Sequence, residues 1–313
     1  MIGAAFCNQP QGQNPLKVVL LGKEGQVGFE LQRALSPYAH IHAFGRADLD
    51  VGDLDALRRV VLDHKPDIVI NATGWTHVDL AEQALEPAWR INAEAVAVLA
   101  QLSKQCGFWL IHYSTDYVFD GQKTTPYLET DVPHPLSVYG QSKLAGEQAI
   151  QSIASHYVIM RTSWVYANRG SNFPRAILNK ATTQDRLEVN TQGCGAPTSA
   201  SLLADLTALL VYHIARGWWH PVDAGLYHVS AQGQTSWFDY AVYLVEQAHA
   251  HGIPLTLQAH QIIPVVHEPD PSRAPRPDYS CLNTDKFMQR FHLTLPHWSV
   301  HLHYWLGLYF AKF

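Results

Sequence analysis

Tyr139 and Lys143 lie four residues apart in a stretch that predicts a helix running to about Ser155. On a helix, this spacing places the phenol and the ammonium on the same face. A nearby ammonium favours the phenolate, so we expect Lys143 to lower the pKa of Tyr139 from its ordinary value near ~10. A tyrosine whose pKa lies closer to neutrality is a usable proton donor. Because the same spacing also arises by chance, its meaning depends on the residues before it.

Two hydroxyl residues, Ser114 and Thr115, follow a mostly apolar run at residues 109–113 that predicts a buried strand. They would lie at the carboxyl end of that strand, where open α/β sheets bind their ligands. A hydroxyl at this point and the phenol of Tyr139, on the next long helix, could hold one carbonyl oxygen together. The pattern therefore predicts chemistry on a carbonyl group.

A glycine-rich turn lies between a predicted strand at residues 16–21 and a predicted helix at residues 29–35. Gly22 would permit the tight turn, Gly25 would let the backbone approach a pyrophosphate, and Gly28 would let the helix pack closely on the strand. Free amides at the start of a helix favour an anion. The spacing is Gly-x-x-Gly-x-x-Gly rather than the Gly-x-Gly-x-x-Gly of many dehydrogenases. In this strand–turn–helix context it predicts a dinucleotide site.

Arg46 follows the second predicted strand, residues 40–44. An acidic residue at this point would hold a ribose 2′-hydroxyl, whereas an arginine suits a 2′-phosphate. Arg46 therefore favours NADPH, unless its side chain merely points to solvent. Farther along, Asp53 predicts the N-cap of a helix at residues 54–64.

Strands and helices alternate up to about residue 165, with further strands predicted at residues 66–72 and 157–162 and a helix at about 87–106. This rhythm predicts an α/β fold with a Rossmann-like, doubly wound parallel sheet. The pattern then changes to a smaller, mixed α/β C-terminal substrate lobe. We predict a flexible tail at residues 1–15, an NAD(P)-binding domain at 16–165 and a mainly substrate-binding lobe at 166–313.

Composition excludes several classes of protein. The net charge is -5, and no basic run exceeds two residues, which argues against nucleic acid as a partner. No apolar stretch reaches the ~18 residues that span a membrane. The four cysteines, Cys7, Cys106, Cys194 and Cys281, form no Cys-x-x-Cys pair, which is typical of a reduced cytoplasmic protein without structural zinc. The histidine pairs are spaced two apart, so no metal site is predicted.

Several motifs in order resemble one family. They are Gly22-Lys23-x-Gly25-Gln26-Val27-Gly28, Asn71-Ala72, Val78-Asp79-x-Ala81-Glu82, Ser114-Thr115-Asp116-Tyr117-Val118-Phe119-Asp120-Gly121, Tyr139-Gly140-x-x-Lys143-x-x-Gly146-Glu147, Arg161-Thr162-Ser163-Trp164-Val165-Tyr166, Gly195-x-Pro197-Thr198 and Arg276-Pro277. From about Lys17 to the C-terminus, the chain resembles the dTDP-4-dehydrorhamnose reductases, which are extended short-chain dehydrogenase/reductases. The resemblance implies reduction of dTDP-4-dehydro-β-L-rhamnose at C4 by NADPH or NADH.

The resemblance also implies roles for individual residues. Tyr139 would donate the proton, Lys143 would modulate it and bind the ribose, and Thr115 would hydrogen-bond the sugar near C4. Binding roles would fall to Thr76 and Trp164 at the sugar, Gly22, Gly25, Gln26, Val27 and Gly28 at the pyrophosphate, Asp50 and Val51 at the adenine and Ala72 at the cofactor ribose. Asn92 would stabilise the nearby active-site backbone.

The diphosphate of a nucleotide sugar needs a cation, and Arg276 is the candidate, although a loop arginine can equally lie in solvent. Some relatives bridge a homodimer through Mg²⁺ held by glutamates. Glu30 matches one such position, but Ser201 falls where another glutamate would be, so the residues do not favour a magnesium bridge. A homodimer remains open.

Two alternatives to this activity remain from the sequence alone. Another nucleotide-sugar enzyme, such as an epimerase, would use similar residues. Similar chains also serve as NADP-binding regulatory subunits of methionine adenosyltransferase. The turn Gln192-Gly193-Cys194-Gly195 and the residue Thr73 after Asn71-Ala72 depart from the family pattern.

Overall fold

A computed structural model describes residues 15–266, residue 270 and residues 272–310. The tail predicted at residues 1–15 therefore lies outside the described residues, apart from Pro15. So do the last three residues of the lobe predicted at 166–313. Among the described helices, none is long and apolar enough to cross a membrane.

The β-strands are, in chain order, β1 (Leu16–Leu21), β2 (Ala39–Phe44), β3 (Ile68–Asn71), β4 (Trp109–Thr115), β5 (Tyr157–Thr162), β6 (Val165–Tyr166), β7 (Leu187–Asn190), β8 (Cys194–Gly195), β9 (Thr198–Ser199), β10 (Gly225–His228), β11 (Thr235–Ser236) and β12 (Ile262–Val265). The main sheet has six strands in the order β10-β5-β4-β3-β1-β2, and all its pairings are parallel. The predicted doubly wound α/β sheet is thus confirmed.

The α-helices are α1 (Gln26–Leu35), α2 (Leu54–His64), α3 (Val78–Ala81), α4 (Leu85–Trp89), α5 (Ala95–Cys106), α6 (Val138–Ile153), α7 (Phe173–Ala181), α8 (Ala200–Ala215), α9 (Trp237–Ala250), α10 (Asp285–Phe291) and α11 (Trp298–Phe310). A π-helical turn, Arg90–Glu94, joins α4 to α5. Short 3₁₀ turns lie at Asp116–Val118, Pro221–Asp223 and Ala259–Gln261.

Local sequence explains why these elements form where they do. Four consecutive residues of β1, Val18–Leu21, are completely buried, as expected for a central parallel strand covered on both faces. Asp53 caps α2 as predicted, because its carboxylate accepts hydrogen bonds from the amides of Asp55 and Ala56. α1 begins at Gln26, three residues earlier than predicted, so the last glycine of the turn lies inside the helix.

The crossover between β1 and β3 sets the position of the site. The chain passes from β1 outward to β2 and then returns to place β3 on the other side of β1. Such a reversal of strand order opens a crevice at the carboxyl ends of the strands. β3, β4 and the start of α6 lie beside this crevice and carry the candidate residues.

The second half of the chain contributes one strand to the main sheet and takes part in three small strand pairs. β10 pairs with β5 as the edge strand of the main sheet. The short strands form three small pairs, β11 with β8, β12 with β7 and β6 with β9. β12 carries Pro264, which a short strand paired on one side tolerates. The division at residues 16–165 and 166–313 stays a prediction.

Candidate active site

Lys143 is held at the centre of the site by the strand beneath it. Its Nζ donates a hydrogen bond to the carbonyl oxygen of Tyr113 at 2.6 Å and lies 3.4 Å from His112 Nε2. The amide of Asn71 meets the other ring nitrogen of His112 at 3.1 Å. Burial lowers the pKa of Lys143 to about 8 and holds the pKa of His112 well below its usual value. Side chains from β3, β4 and α6 thus form one buried polar chain.

Tyr139 lies beside Thr115, close to this series of buried polar side chains. The Thr115 side chain is close enough to hydrogen-bond the phenol and lower its pKa, but burial is the larger effect and raises the pKa of Tyr139 to about 12. The expectation that Lys143 lowers this pKa is wrong for the protein alone. The ammonium is engaged with the Tyr113 carbonyl, and desolvation of the phenol dominates.

Asp116 is a buried carboxyl group directly behind Thr115. The Thr115 hydroxyl donates to Asp116 Oδ1 at 3.1 Å, and Oδ2 has no hydrogen-bond partner among the described residues. Burial raises the pKa of Asp116 to about 7, while Ser280 and Thr115 lower it to a smaller extent. Asp116 therefore changes charge near neutrality, next to the candidate proton donor.

Asn92 lies on the π-helical turn and fixes the loop after β3. Its Oδ1 accepts from the amide of Trp75 at 2.9 Å, and its Nδ2 donates to the Trp75 carbonyl at 3.2 Å and to Ser142 Oγ at 3.0 Å. Ser142 in turn donates to the carbonyl oxygen of Tyr139. The expectation that Asn92 stabilises nearby backbone is confirmed. The π turn aims this side chain inward, a known use of such turns near functional sites.

A buried ion pair fixes α6 to the sheet. Arg161 on β5 donates two hydrogen bonds to Glu147, from Nε at 2.9 Å and from Nη2 at 2.6 Å. Glu147 lies four residues beyond Lys143, so it shares the face of α6 that carries Tyr139 and Lys143. The pair therefore fixes the rotation of the helix that presents both candidate catalytic groups.

The glycine turn packs against β3 without room for side chains. A Cβ on Gly22, which has φ of +93°, would lie 2.8 Å from the Ala72 carbonyl oxygen. A Cβ on Gly28 would lie 2.0 Å from the Gly22 carbonyl oxygen. Gly25 is the N-cap of α1 and supplies no side-chain cap, and no acidic residue stands in the first turn. The first amides of α1 are thus left for another acceptor, as in anion sites at helix starts.

Gln26 and Val27 anchor this turn to the second half of the chain. Gln26 Nε2 donates to the carbonyl of Val165 at 3.5 Å, and its Oε1 accepts from Asn172 at 2.9 Å. Val27 packs against the main hydrophobic core. Their side chains therefore have structural contacts, and only their backbone remains for a pyrophosphate.

Side chains of opposite charge lie at the end of β2. Arg46 is exposed and makes no ion pair or hydrogen bond with the described part of the chain. The carboxylate of Glu24 covers Gly45, where a Cβ would lie 1.7 Å from its Oε2. Asp48 accepts from the Gly45 amide at 2.9 Å. The residue that follows Gly45 in the sequence is Arg46 rather than an acid, yet the fold brings Glu24 to this strand end from the glycine turn.

Asp50 and Val51 lie just beyond this strand end. Asp50 Oδ1 accepts from the amide of Gly52 at 2.9 Å, and Val51 is buried in the core under α2. Neither contact opposes the adenine-flanking role implied for them, which stays a prediction.

Trp164 stands on a strained backbone in a tight aromatic stack. Its φ is +47°, and its ring lies 3.4 Å from that of Trp237 in a stacked arrangement. A Cβ on Gly195 would lie 2.4 Å from the Trp164 indole. A non-glycine residue with positive φ persists only where surrounding structure holds it, and such positions cluster at ligand sites.

Arg276 is anchored near the candidate proton donor. It donates to Asp79 Oδ2 at 2.9 Å and to the Ala274 carbonyl at 3.0 Å. The positive charge of Arg276 also lowers the pKa of Tyr117, although burial raises that pKa overall. The Tyr117 ring meets the Tyr139 ring edge-on, with centroids 5.7 Å apart. Arg276 thus lies near Tyr117 with Asp79 as its present partner, and its side chain remains 35% exposed.

Gly74 lies between the two groups of candidate residues. A Cβ at Gly74 would lie 3.9 Å from Lys143 Nζ and 3.9 Å from the methyl carbon of Thr76. Two residues earlier, Ala72 contacts the glycine turn. The short segment after β3 therefore joins the predicted cofactor turn to the predicted catalytic residues.

The two positions compared with a magnesium bridge are engaged otherwise. Glu30 pairs with Arg33 at 3.4 Å, and Ser201 Oγ meets Ser199 Oγ at 3.1 Å. Within the described residues, no cluster of three or more histidine, cysteine or acidic side chains could hold a metal ion.

Sequence reasoning missed His112, the Glu24 carboxylate and the partner of Arg276. A histidine inside an otherwise apolar strand was a usable signal for His112, because a polar residue buried on both faces needs a partner. No local signal reveals the Asp79–Arg276 pair, whose members are 197 residues apart.

Known proteins resemble the chain over nearly its whole length. Residues 16–309 match the family model described as RmlD substrate binding domain. The dTDP-4-dehydrorhamnose reductase of Escherichia coli K12 is 46% identical over 289 residues, which span 91% of this chain and 95% of that protein. The enzyme of the same name from Burkholderia thailandensis is 39% identical over 284 residues, which span 90% of this chain and 95% of that protein.

A solved structure supports the same relationship. The crystal structure of dTDP-4-dehydrorhamnose reductase from Bacillus anthracis in complex with NADP superposes with a TM-score of 0.85 and 29% identity. The match covers 95% of this chain and 100% of that one.

Proposed function

Since this chain belongs to the dTDP-4-dehydrorhamnose reductase family, we propose that it reduces the C4 ketone of dTDP-4-dehydro-β-L-rhamnose to give dTDP-β-L-rhamnose. The hydride donor is NADPH, with NADH as the alternative. One observation carries the proposal: the segment from Ala72 to Gly74 contacts Gly22 of the glycine turn at one end and approaches Lys143 Nζ at the other. Cofactor turn and acid–base residues therefore belong to one site.

The residues present fit a dinucleotide. The uncapped first amides of α1 and the close approach of Gly22 to Ala72 suit a pyrophosphate, with the backbone of Gly25, Gln26 and Val27 beside it. The buried hydroxyl of Ser114 has no hydrogen-bond partner among the described residues, as expected of a group that meets a ligand. When bound, the nicotinamide supplies the hydride for the ketone carbon.

Two charges at the end of β2 set the choice of cofactor. The unpaired guanidinium of Arg46 suits a 2′-phosphate, whereas the Glu24 carboxylate over Gly45 suits a ribose hydroxyl. The Bacillus anthracis enzyme named above was crystallised in complex with NADP. We therefore assign NADPH as the preferred cofactor and Glu24 as the reason NADH is also accepted.

The chain's own residues supply the acid–base chemistry. Tyr139 and Thr115 hold the ketone oxygen, and Tyr139 donates its proton as negative charge develops there. Burial keeps the phenol protonated up to a pKa of about 12, so the donor is fully loaded at neutral pH. Lys143, anchored on the Tyr113 carbonyl, places a positive charge beneath the site that favours the phenolate left behind. Positioned acid catalysis of this kind contributes ~10²–10⁴-fold.

Substrate recognition comes mainly from residues 166–313 and the strand ends beside them. Thr76 and Lys143 both lie beside Gly74, and Trp164 offers a fixed ring face to the sugar. Arg276 is the cation for the diphosphate, and it exchanges Asp79 for the ligand when the nucleotide sugar binds. Residues 16–165 form the NAD(P)-binding domain of this proposal.

Some expectations on partners and location rest on sequence alone. The net charge of -5 argues against nucleic acid, and the scattered cysteines indicate the cytoplasm. A homodimer is a prediction that light scattering at working concentration tests.

The experiment is an assay of NADPH oxidation by the purified protein with the keto sugar nucleotide. The expected result is stoichiometric consumption of NADPH and formation of the 4-hydroxy sugar. Epimerised sugar without net NADPH oxidation would indicate an epimerase. NADPH binding without turnover would indicate a regulatory subunit instead.

A further inference from the structure

Two cysteines distant in sequence meet beside the proposed substrate pocket. Cys194 Sγ and Cys281 Sγ lie 3.7 Å apart, although the residues are separated by 87 positions. Cys194 is partly exposed on β8, and Cys281 is 3% exposed behind it. Backbone hydrogen bonds hold the two segments together: Cys194 N donates to the Asp278 carbonyl, and Ser280 N donates to the Cys194 carbonyl, both at 2.8 Å.

We infer that Cys194 and Cys281 form a redox-active dithiol site that reacts with hydroperoxides and closes to a reversible disulfide. A disulfide bond is about 2.05 Å long, so the sulfurs must approach by about 1.7 Å from their separation of 3.7 Å. Because each thiol lies in a short backbone-paired segment, side-chain rotation and a small loop shift supply this movement.

The chemistry divides between an attacking and a resolving thiol. The hydrogen bond between the two thiols lowers the pKa of Cys194 to about 7, and the same hydrogen bond, together with burial, raises the pKa of Cys281. The Cys194 thiolate attacks the O–O bond of the peroxide, giving a sulfenic acid and, after protonation, an alcohol or water. Cys281 sulfur then attacks the sulfenic sulfur, its proton leaves with the hydroxyl as water, and the disulfide forms. In sum, two thiols and one hydroperoxide give one disulfide, one alcohol and one water.

The disulfide would act on the proposed sugar pocket from two sides. Gly195, next to Cys194, lies directly against the Trp164 indole, which stacks on Trp237. Ser280, next to Cys281, is close enough to hydrogen-bond the buried carboxyl group of Asp116 and lower its pKa. Drawing the sulfurs together shifts both Gly195 and Ser280. Within the described residues, the glycine turn of the cofactor site contacts neither segment and keeps its position. This consequence rests on the proposed function, while disulfide formation itself does not.

The covalent test uses the full-length, reduced protein treated with one equivalent of hydrogen peroxide. Thiols counted in denaturant should fall from the four of the sequence to two. Peptide mapping should link Cys194 to Cys281, and dithiothreitol should restore all thiols. The matched control Cys106→Ser, at an exposed cysteine outside the pair, should cross-link like wild type. A link through Cys7 or Cys106, or an unchanged thiol count, would overturn the site.

Two variants separate the roles of the thiols. Cys281→Ser should leave a Cys194 sulfenic acid that dimedone traps, and Cys281→Ala serves if the serine variant does not fold. Cys194→Ser should abolish both the sulfenic acid and the cross-link. Sulfenic acid found instead at Cys281 in the Cys194→Ser variant would refute the assigned order.

The functional readout is the KM for the sugar nucleotide. In the oxidised protein it should rise by about threefold to tenfold, since displacements of about 1 Å in positioning groups change rates by up to ~10²-fold. NADPH titration should be unchanged, and dithiothreitol should reverse the effect. An unaltered KM in fully cross-linked protein would overturn the link to the pocket. If the reduced protein shows no turnover, the proposed function fails, while the thiol count still tests the site.

Discussion

Replacing Asp116 by asparagine removes the one buried carboxyl group that titrates near neutrality beside Thr115. Burial raises the pKa of Asp116 from 3.8 to about 7 in the folded protein. In the unfolded chain the carboxyl group has its ordinary pKa of 3.8. Between this pH and about 7, the folded protein therefore binds a proton at Asp116 that the unfolded chain has released. The stability contributed by this group is full below pH ~4 and is lost as pH rises through ~7.

The size of this effect follows from the pKa difference. At 1.36 kcal/mol per pKa unit, the rise to about 7 corresponds to about 4 kcal/mol. Asparagine keeps an oxygen that can accept from the Thr115 hydroxyl, as Asp116 Oδ1 does at 3.1 Å. Relative to wild type, Asp116→Asn should therefore gain about 4 kcal/mol of unfolding free energy between pH ~4 and ~8.

The assay is urea denaturation of both proteins at several values across this range. The difference in unfolding free energy should widen steadily as pH rises and level off above about 8. Parallel curves for the two proteins would show that Asp116 titrates at its ordinary value and refute the desolvation argument. Activity supplies a second readout: ionised Asp116 raises the pKa of Tyr139, so wild-type kcat/KM should decline above neutrality and the variant should decline less.

Three further outcomes are expected. Arg46→Ala should weaken NADPH binding more than NADH binding, by up to the roughly 1.5–3 kcal/mol of a charge-assisted hydrogen bond. Glu24→Gln should instead weaken the binding of NADH alone. Equal effects of either variant on both cofactors in fluorescence titrations would contradict these assignments. Arg276→Ala should raise the KM for the sugar nucleotide roughly ten- to a hundredfold, with kcat and NADPH affinity unchanged. The control Asp79→Asn should not raise this KM. An unchanged KM for Arg276→Ala in steady-state kinetics would exclude the role of Arg276. Glu147→Gln keeps one acceptor oxygen for Arg161 but removes the negative charge, so the buried guanidinium has no counter-charge. Unfolding free energy should therefore fall by ~3–5 kcal/mol in denaturant titrations, and a loss below ~1 kcal/mol would show that the pair does not fix α6.

Regular elements with strong local patterns could be predicted from the sequence. β1 and β5 have the predicted bounds, because each is a short run of apolar and β-branched residues. α2 also has its predicted limits, with Asp53 as N-cap. The short strands β6, β8, β9 and β11 were missed, since two residues carry no periodicity and form only where tertiary contacts pair them.

Residue identity predicted the members of the site better than their electrostatics. Spacing brought Tyr139 and Lys143 to one face of α6, as the structure has them. The pKa of Tyr139 depends on desolvation, which arises only after β4, α6 and the 3₁₀ turn at Asp116–Val118 close around the phenol. Likewise, Glu24 reaches Gly45 only because β1 and β2 pair in register. Such contacts depend on the fold and have no local signature.

The most direct measurement compares wild type and Tyr139→Phe in single-turnover reduction of the keto sugar nucleotide by bound NADPH. Phenylalanine keeps the ring against Tyr117 but removes the proton donor. The rate should fall at least ~10²-fold with NADPH affinity and unfolding free energy close to wild type. A folded Tyr139→Phe protein that reduces the keto sugar at the wild-type rate would contradict the assignment of Tyr139 as the acid.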